Sequence, residues 1–232
     1  MSTRTIDPVD LPTSTPADSG RRDWSSDIGC RILDLVVAGI ALAVLSPVLL
    51  LIAILIRLES PGPAVFRQQR VGRSRRPFTV NKFRTMRQGA SHDTHRQFVQ
   101  SLIAGEQPPA LAGKPRFKMA SDDRITRVGR FLRRSSLDEL PQLWNVLRGD
   151  MSLVGPRPPI PYEVERYPAH WFPRFQVKPG ITGLWQVSGR CELTLEQMIV
   201  LDIEYVQRRS LRANLWILVR TVPAVLSLRG AS

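Results

Sequence analysis

Apolar residues are gathered at one place in this chain. Residues 32–56 are almost wholly hydrophobic, with Asp34 their only charge. The run is roughly 25 residues long, and about 20 suffice for a helix to cross a bilayer. A buried core helix is seldom apolar on every face, so membrane insertion is the strongest physical expectation. Residues 1–27 are the opposite, a polar tail rich in Ser, Thr, Pro and Asp that is expected to be disordered. The tail lacks the basic and apolar regions that open a signal peptide. The chain therefore divides into a tail (1–27), a membrane segment (28–58) and a cytosolic and interfacial body (59–232).

Beyond the apolar run the periods change. Ser60-Pro61-Gly62-Pro63 is a turn, and alternation at Val65, Phe66, Phe78, Val80 and Phe83 predicts a short hairpin within residues 64–86. A short helix is expected over 96–103, followed by a loop. Residues 124–134 pattern as a basic amphipathic helix, with Ile125, Val128, Phe131 and Leu132 on one face and arginines on the rest. Such a helix suits either an anionic membrane interface or a solvated surface, and the neighbouring anchor favours the interface. Further helices are expected over 137–147, over 194–209 from a Thr194…Gln197 capping box, and over 211–228 with an interruption at Pro223. The resulting fold class is α+β and mostly helical, with a small β element.

The flanks of the apolar run refine its topology. Arg21, Arg22 and Arg31 lie at its start; Arg57, Arg67, Arg70, Arg73, Arg75 and Arg76 follow it. Basic flanks stay cytoplasmic, and here both ends are basic. Ser46-Pro47 lies near the middle, where proline removes a backbone donor and bends a helix. A helix that enters, breaks at Ser46-Pro47 and returns satisfies both flanks; a single span with one basic end outside is the alternative.

The whole chain carries 33 Lys and Arg against 20 Asp and Glu, a net charge of +13. That excess calls for an anionic partner: nucleic acid, acidic lipid or a phosphorylated substrate. No nucleic-acid module accompanies the arginines. Cys30 and Cys191 stand far apart without a CxxC or a nearby histidine, the pattern of two reduced thiols and not of a zinc site. His92 and His95 lack a third ligand and read as loop residues.

Candidate chemistry concentrates in residues 122–158, DDRITRVGRFLRRSSLDELPQLWNVLRGDMSLVGPRP. Asp138 and Glu139 are adjacent, so on a helix their side chains diverge by about 100° and could do different jobs, one as nucleophile or metal ligand and the other as base or positioning group. Capping is the competing explanation: Ser136…Glu139 has capping-box spacing, and Asp138 as cap would place Pro141 where a helix tolerates it. Gly155-Pro156-Arg157-Pro158 is a rigid turn presenting an arginine whose fork suits phosphate oxygens. Residues 178–183, KPGITG, form a glycine loop able to offer N–H groups to an anion, although neither a P-loop nor a GxGxxG motif is present.

Several long motifs in order carry a family resemblance over residues 28–230. They are Ser46-Pro47, SPGPAVFRQQRVG at 60–72, PFTVNKFRTM at 77–86, the 122–158 block, KPGITGLWQVSGR at 178–190 and LDIEYV at 201–206. The chain resembles the bacterial sugar transferases, monotopic polyprenyl-phosphate phosphoglycosyl transferases, in their compact catalytic form. Asn81 stands where a bulkier residue is expected, and residues 90–120 match loosely. The resemblance implies a re-entrant membrane helix bent at Ser46-Pro47, with interfacial helices supporting a catalytic face on the cytoplasmic side of the bacterial inner membrane. It further implies a Mg²⁺-dependent transfer of a sugar phosphate from a UDP-sugar to a polyprenyl phosphate. Asp138 would be nucleophile and metal ligand, Glu139 its partner, and Arg157 a phosphate ligand, with Lys82, Arg84 and Arg133 as further candidates. Anionic inner-membrane lipid is an expected partner and nucleic acid is not; homo-oligomerisation is left open. A basic nucleic-acid binder and an inactive scaffold for polysaccharide assembly are the rival classes.

Overall fold

The computed structural model describes residues 24–87, 124–189 and 193–226. It is mostly helical with two small two-stranded sheets. The polar tail before residue 24, the helix expected over 96–103, the two loop histidines and Cys191 lie outside the described residues.

Helix α1 runs from Trp24 to Glu59 and contains Pro47. It is the one helix among the described residues long and apolar enough to cross a membrane. Pro47 has no N–H, which leaves the carbonyl of Ala43, four residues back, without its helical donor. The Ser46 hydroxyl supplies one, donating to Ala43 O at 2.8 Å. In lipid an unsatisfied carbonyl costs several kcal/mol, and the serine before the proline offsets that loss while the helix continues without interruption.

Both halves of α1 are fixed to the same body, and the segment around Pro47 is not. In the first half, Asp34 is buried and accepts hydrogen bonds from Leu153 N (2.8 Å) and Ser152 Oγ (3.0 Å). Arg31 donates to Val146 O and Leu147 O at 2.7 and 2.9 Å. Ala38 is fully buried in the main core. In the second half, Ile52 and Ile56 pack with Phe83 and Leu132. Between them Ala43, Val44, Ser46, Pro47 and Val48 are exposed. The apolar segment is thus woven into the fold, not appended to it.

The hairpin forms where alternation placed it. Strands β1 (Val65–Val71) and β2 (Pro77–Phe83) pair antiparallel, from Val65 opposite Phe83 to Val71 opposite Pro77. Helix α2 spans Arg127–Ser135, starting three residues later than the apolar pattern suggested. Thr126 ends the extended chain and caps it, its hydroxyl accepting from Gly129 N at 2.9 Å. The Glu59 carboxylate at the end of α1 accepts from the N–H groups of Arg127 and Val128, so the end of one helix caps the start of another. Gly129 is required there, because a Cβ would stand 2.1 Å from Thr85 O.

A 3₁₀ turn, Leu137–Glu139, leads into α3 (Gln142–Arg148). Strands β3 (Ser152–Val154) and β4 (Gly180–Thr182) then pair in parallel. Between them lie α4 (Pro161–Val164) and a 3₁₀ segment, Ala169–Gln176. The chain continues through α5 (Leu184–Ser188), α6 (Leu195–Arg208) and α7 (Leu211–Leu226). Thr194 caps α6 in the expected box with Gln197. Pro223 lies inside α7 instead of interrupting it. The main core joins α1, β2, α3, β3, α5, α6 and α7 around Val146, Met151, Tyr205 and Ile217.

Candidate active site

Asp138 and Glu139 lie on the 3₁₀ turn, and neither is a helix cap. Ser136 adopts a left-handed conformation (φ 57°) and makes no side-chain capping bond, while Pro141 is the N-cap of α3. With three residues per turn, the two carboxylates point about 120° apart. Their platform is rigid. Asn145, fully buried on α3, donates to Thr79 O at 2.7 Å and accepts from Asn81 N at 3.0 Å and Asn81 Nδ2 at 3.1 Å. This ties α3 to β2, and Asn81 is the acceptor's partner in that tie.

Lys82 is placed beside the pair, donating from Nζ to Glu139 Oε1 at 2.8 Å. Burial pushes the Glu139 carboxyl up, but the charge and hydrogen bond of Lys82, with the charges of Arg157 and Arg70, more than offset it and hold it below the usual carboxylate range. Glu139 is therefore ionised at neutral pH. Arg70 was counted in the sequence only as a basic flank. It is buried on β1 in the field of Glu139, Arg157 and Glu163, and burial together with the nearby Arg157 charge lowers its pKa to about 10.

The turn carrying Arg157 is held at four successive carbonyls, from Pro156 to Pro159. Gly180 N donates to Pro156 O (3.0 Å) and Val71 N to Pro159 O (2.9 Å). Arg174 Nη2 donates to Arg157 O (2.9 Å) and Arg70 Nη1 to Pro158 O (3.0 Å). Pro156, Pro158 and Pro159 have no N–H, so the turn has few donors of its own, and these carbonyls are satisfied from outside it. The result is an arginine on an immobilised main chain. The glycine loop expected to present N–H groups to an anion does something else. Gly180 N–H is used on Pro156, and Gly155 and Gly180 are there for close approach, since a Cβ on either would meet backbone at 2.4 or 2.1 Å.

Arg84 is not gathered with the dyad. It is buried, and its guanidinium donates to Pro61 O (2.7 Å), Ser60 O (2.7 Å) and Ser60 Oγ (3.0 Å). It clamps the exit of α1 and has no exposed fork for a phosphate, so the phosphate role expected for it is corrected to a structural one. Arg133 is exposed in the last turn of α2, just before the dyad. Sequence reading assigned no role to Arg174 and Asp202. They form a buried ion pair of 2.6 Å, and Asp202 stands in the LDIEYV motif.

Mg²⁺ normally takes one or two protein carboxylates, with water and substrate phosphates completing its octahedron. Among the described residues no group of three or more His, Cys, Asp or Glu could hold a metal by itself. The dyad supplies the one or two carboxylates that a phosphate-bridged ion needs, and it fits on that count.

Adjacent carboxylates, one of them ionised beside Lys82 in the field of Arg157 and Arg70, on a body that packs against a long apolar helix, suit a membrane-associated protein that handles anionic substrates. The chain belongs to the bacterial sugar transferase family, whose model matches residues 25–228. It is 43% identical over 238 residues to the UDP-glucose:undecaprenyl-phosphate glucose-1-phosphate transferase of Caulobacter vibrioides, covering 97% of this chain and 81% of that protein. It is 37% identical to the exopolysaccharide production protein ExoY of Rhizobium meliloti, with 95% of each chain covered. It is 40% identical to the undecaprenyl-phosphate galactose phosphotransferase of Salmonella typhimurium, 88% of this chain matching 40% of that longer protein.

Proposed function

We propose that this protein transfers a hexose 1-phosphate from a UDP-sugar to undecaprenyl phosphate and releases UMP, at the cytoplasmic face of the bacterial inner membrane. The observation that carries the reading is the Asp138-Glu139 pair, with Glu139 held ionised by Lys82, together with Arg157 on its immobilised turn. The names of the relatives above, glucose and galactose transferases to undecaprenyl phosphate, support the substrate class.

In this reading Arg157, with Lys82 and Arg133 nearby, binds the donor diphosphate. A carboxylate oxygen of Asp138 attacks the β-phosphorus. The Asp–O–P bond forms as the bond to the bridging oxygen breaks, and UMP leaves with the electron pair. A phosphate oxygen of the polyprenyl phosphate then attacks the same phosphorus, and Asp138 leaves as the carboxylate. Glu139, kept ionised by Lys82, orients the reacting groups. A Mg²⁺ ion held by Asp138 and the substrate phosphates would neutralise charge that otherwise repels the nucleophile.

The reading extends to placement in the membrane. Both halves of α1 are anchored to one body while the Ser46-Pro47 segment is exposed, which supports a helix that dips into one leaflet and returns. Exposed Leu58, Phe131 and Trp144, beside exposed Arg127, Arg130 and Arg134 on α2, suit an interface of anionic lipid.

The test is turnover by the purified protein in lipid nanodiscs holding undecaprenyl phosphate and Mg²⁺. With UDP-glucose or UDP-galactose it should form lipid-linked hexose and UMP in equal amounts. Release of UDP in place of UMP, or no lipid product from either donor, contradicts the reading.

A further inference from the structure

Arg174 and Asp202 touch none of the proposed reacting groups, yet the geometry ties them to Arg157. Asp202 lies on α6 and Arg174 on the Ala169–Gln176 segment, both almost fully buried. Nη2 of Arg174 donates both to Asp202 Oδ2 (2.6 Å) and to Arg157 O (2.9 Å), and Nη1 donates to Tyr167 Oη at 3.2 Å. Resting on the function proposed above, we propose that Arg174 and Asp202 are positioning residues for donor binding: Asp202 aims Arg174, and Arg174 fixes the main chain from which Arg157 reaches the diphosphate.

Stability alone is a poor reason for the pair. Two buried charges lose their hydration, and an apolar replacement of equal volume is often as stable. This pair is also incompletely satisfied, since Asp202 Oδ1 and Arg174 Nε are buried without a hydrogen-bond partner. What an apolar pair could not provide is a directed donor for Arg157 O, the one carbonyl of the turn held by this arginine. Burial pushes the Asp202 carboxyl up to about 6 against the pull of Arg174, so the clamp is held at an electrostatic cost. Arg157, Arg174 and Asp202 also line one recess, walled by Trp185 and Met198, so displacement of the pair reaches the turn directly.

A double-mutant cycle on the full-length protein in nanodiscs tests this, read as kcat/KM for UDP-glucose from UMP release. Asp202→Asn should lower kcat/KM roughly tenfold, mainly through the donor KM, in the otherwise unchanged protein. In an Arg157→Ala background the same substitution should change it less than about twofold, while its effect on Tm is equal in both backgrounds. The pair Arg174→Gln with Asp202→Asn leaves no buried charge unpaired and carries the test should the single variant fold poorly; it should show the same dependence on Arg157. Equal losses in both backgrounds would make the ion pair merely structural and overturn the proposal. Failure of the functional reading would look different: the unsubstituted protein would then release no UMP from either donor.

Discussion

Arg157 gains its value from what surrounds it. Three prolines leave the turn few donors, and four outside groups hold its carbonyls, so the guanidinium starts from a fixed base and little of its ordering remains for the moment of binding. Arg157→Lys keeps the charge but loses the fork. We expect kcat/KM for the UDP-sugar to fall roughly 10- to 100-fold, the equivalent of about 1.4–2.7 kcal/mol, with Tm unchanged; near-normal kinetics would remove Arg157 from the site. Glu139 gives a pH test. Its folded pKa is depressed, so its ionised form is favoured above the unfolded value and that advantage disappears as pH falls through the folded one. Lys82→Met removes the largest lowering influence, and the acid limb of the acceptor-free UMP burst should move to higher pH. An unmoved limb would detach Glu139 from the chemistry. The dyad and Arg157 stand out in the sequence because local motifs mark them. Arg70, Arg174 and Asp202 do not: the Arg174–Asp202 pair is 28 residues apart in sequence, and nothing local announces that two charges will be buried together.

At the scale of elements, composition and period did most of the work. The apolar run became α1, alternation became the β1–β2 hairpin, and the Thr194 box opened α6. The short parallel pair β3–β4 escaped notice, since three-residue strands carry no readable period and their partner lies more than twenty residues away. Capping also misled. Ser136…Glu139 has the spacing of a box, but the left-handed Ser136 turns the chain into a 3₁₀ turn instead. Gly129 marks a tight contact between elements, α2 against the strand exit at Thr85. Gly129→Ala forces backbone apart and should cost about 1–3 kcal/mol, read as a lower Tm. Gly39→Ala, inside α1 where a Cβ meets nothing within 4 Å, should hold or raise Tm. Equal behaviour of the two would refute the packing assigned to α2.

Seen whole, the protein uses its membrane helix as part of its core. Asp34 and Arg31, charges that look misplaced beside an apolar run, bond to β3 and to the C-terminal carbonyls of α3. That arrangement supports a helix with both ends on the cytoplasmic side. Cysteines introduced at Ser26 and at the exposed Pro63, with Cys30 and Cys191 replaced, should both resist an impermeant thiol reagent in intact cells and both react in inside-out vesicles. Labelling of one alone in cells would indicate a through-span. The most direct measurement concerns the nucleophile. Purified protein is incubated with UDP-glucose carrying radioactive β-phosphate and Mg²⁺, without acceptor, then denatured and examined for bound label. The account predicts label on the wild-type protein, chased off by undecaprenyl phosphate, and none on Asp138→Asn. An active wild-type enzyme that never retains label, with initial-rate plots intersecting as for a ternary complex, would contradict it and leave the polyprenyl phosphate to attack the donor directly.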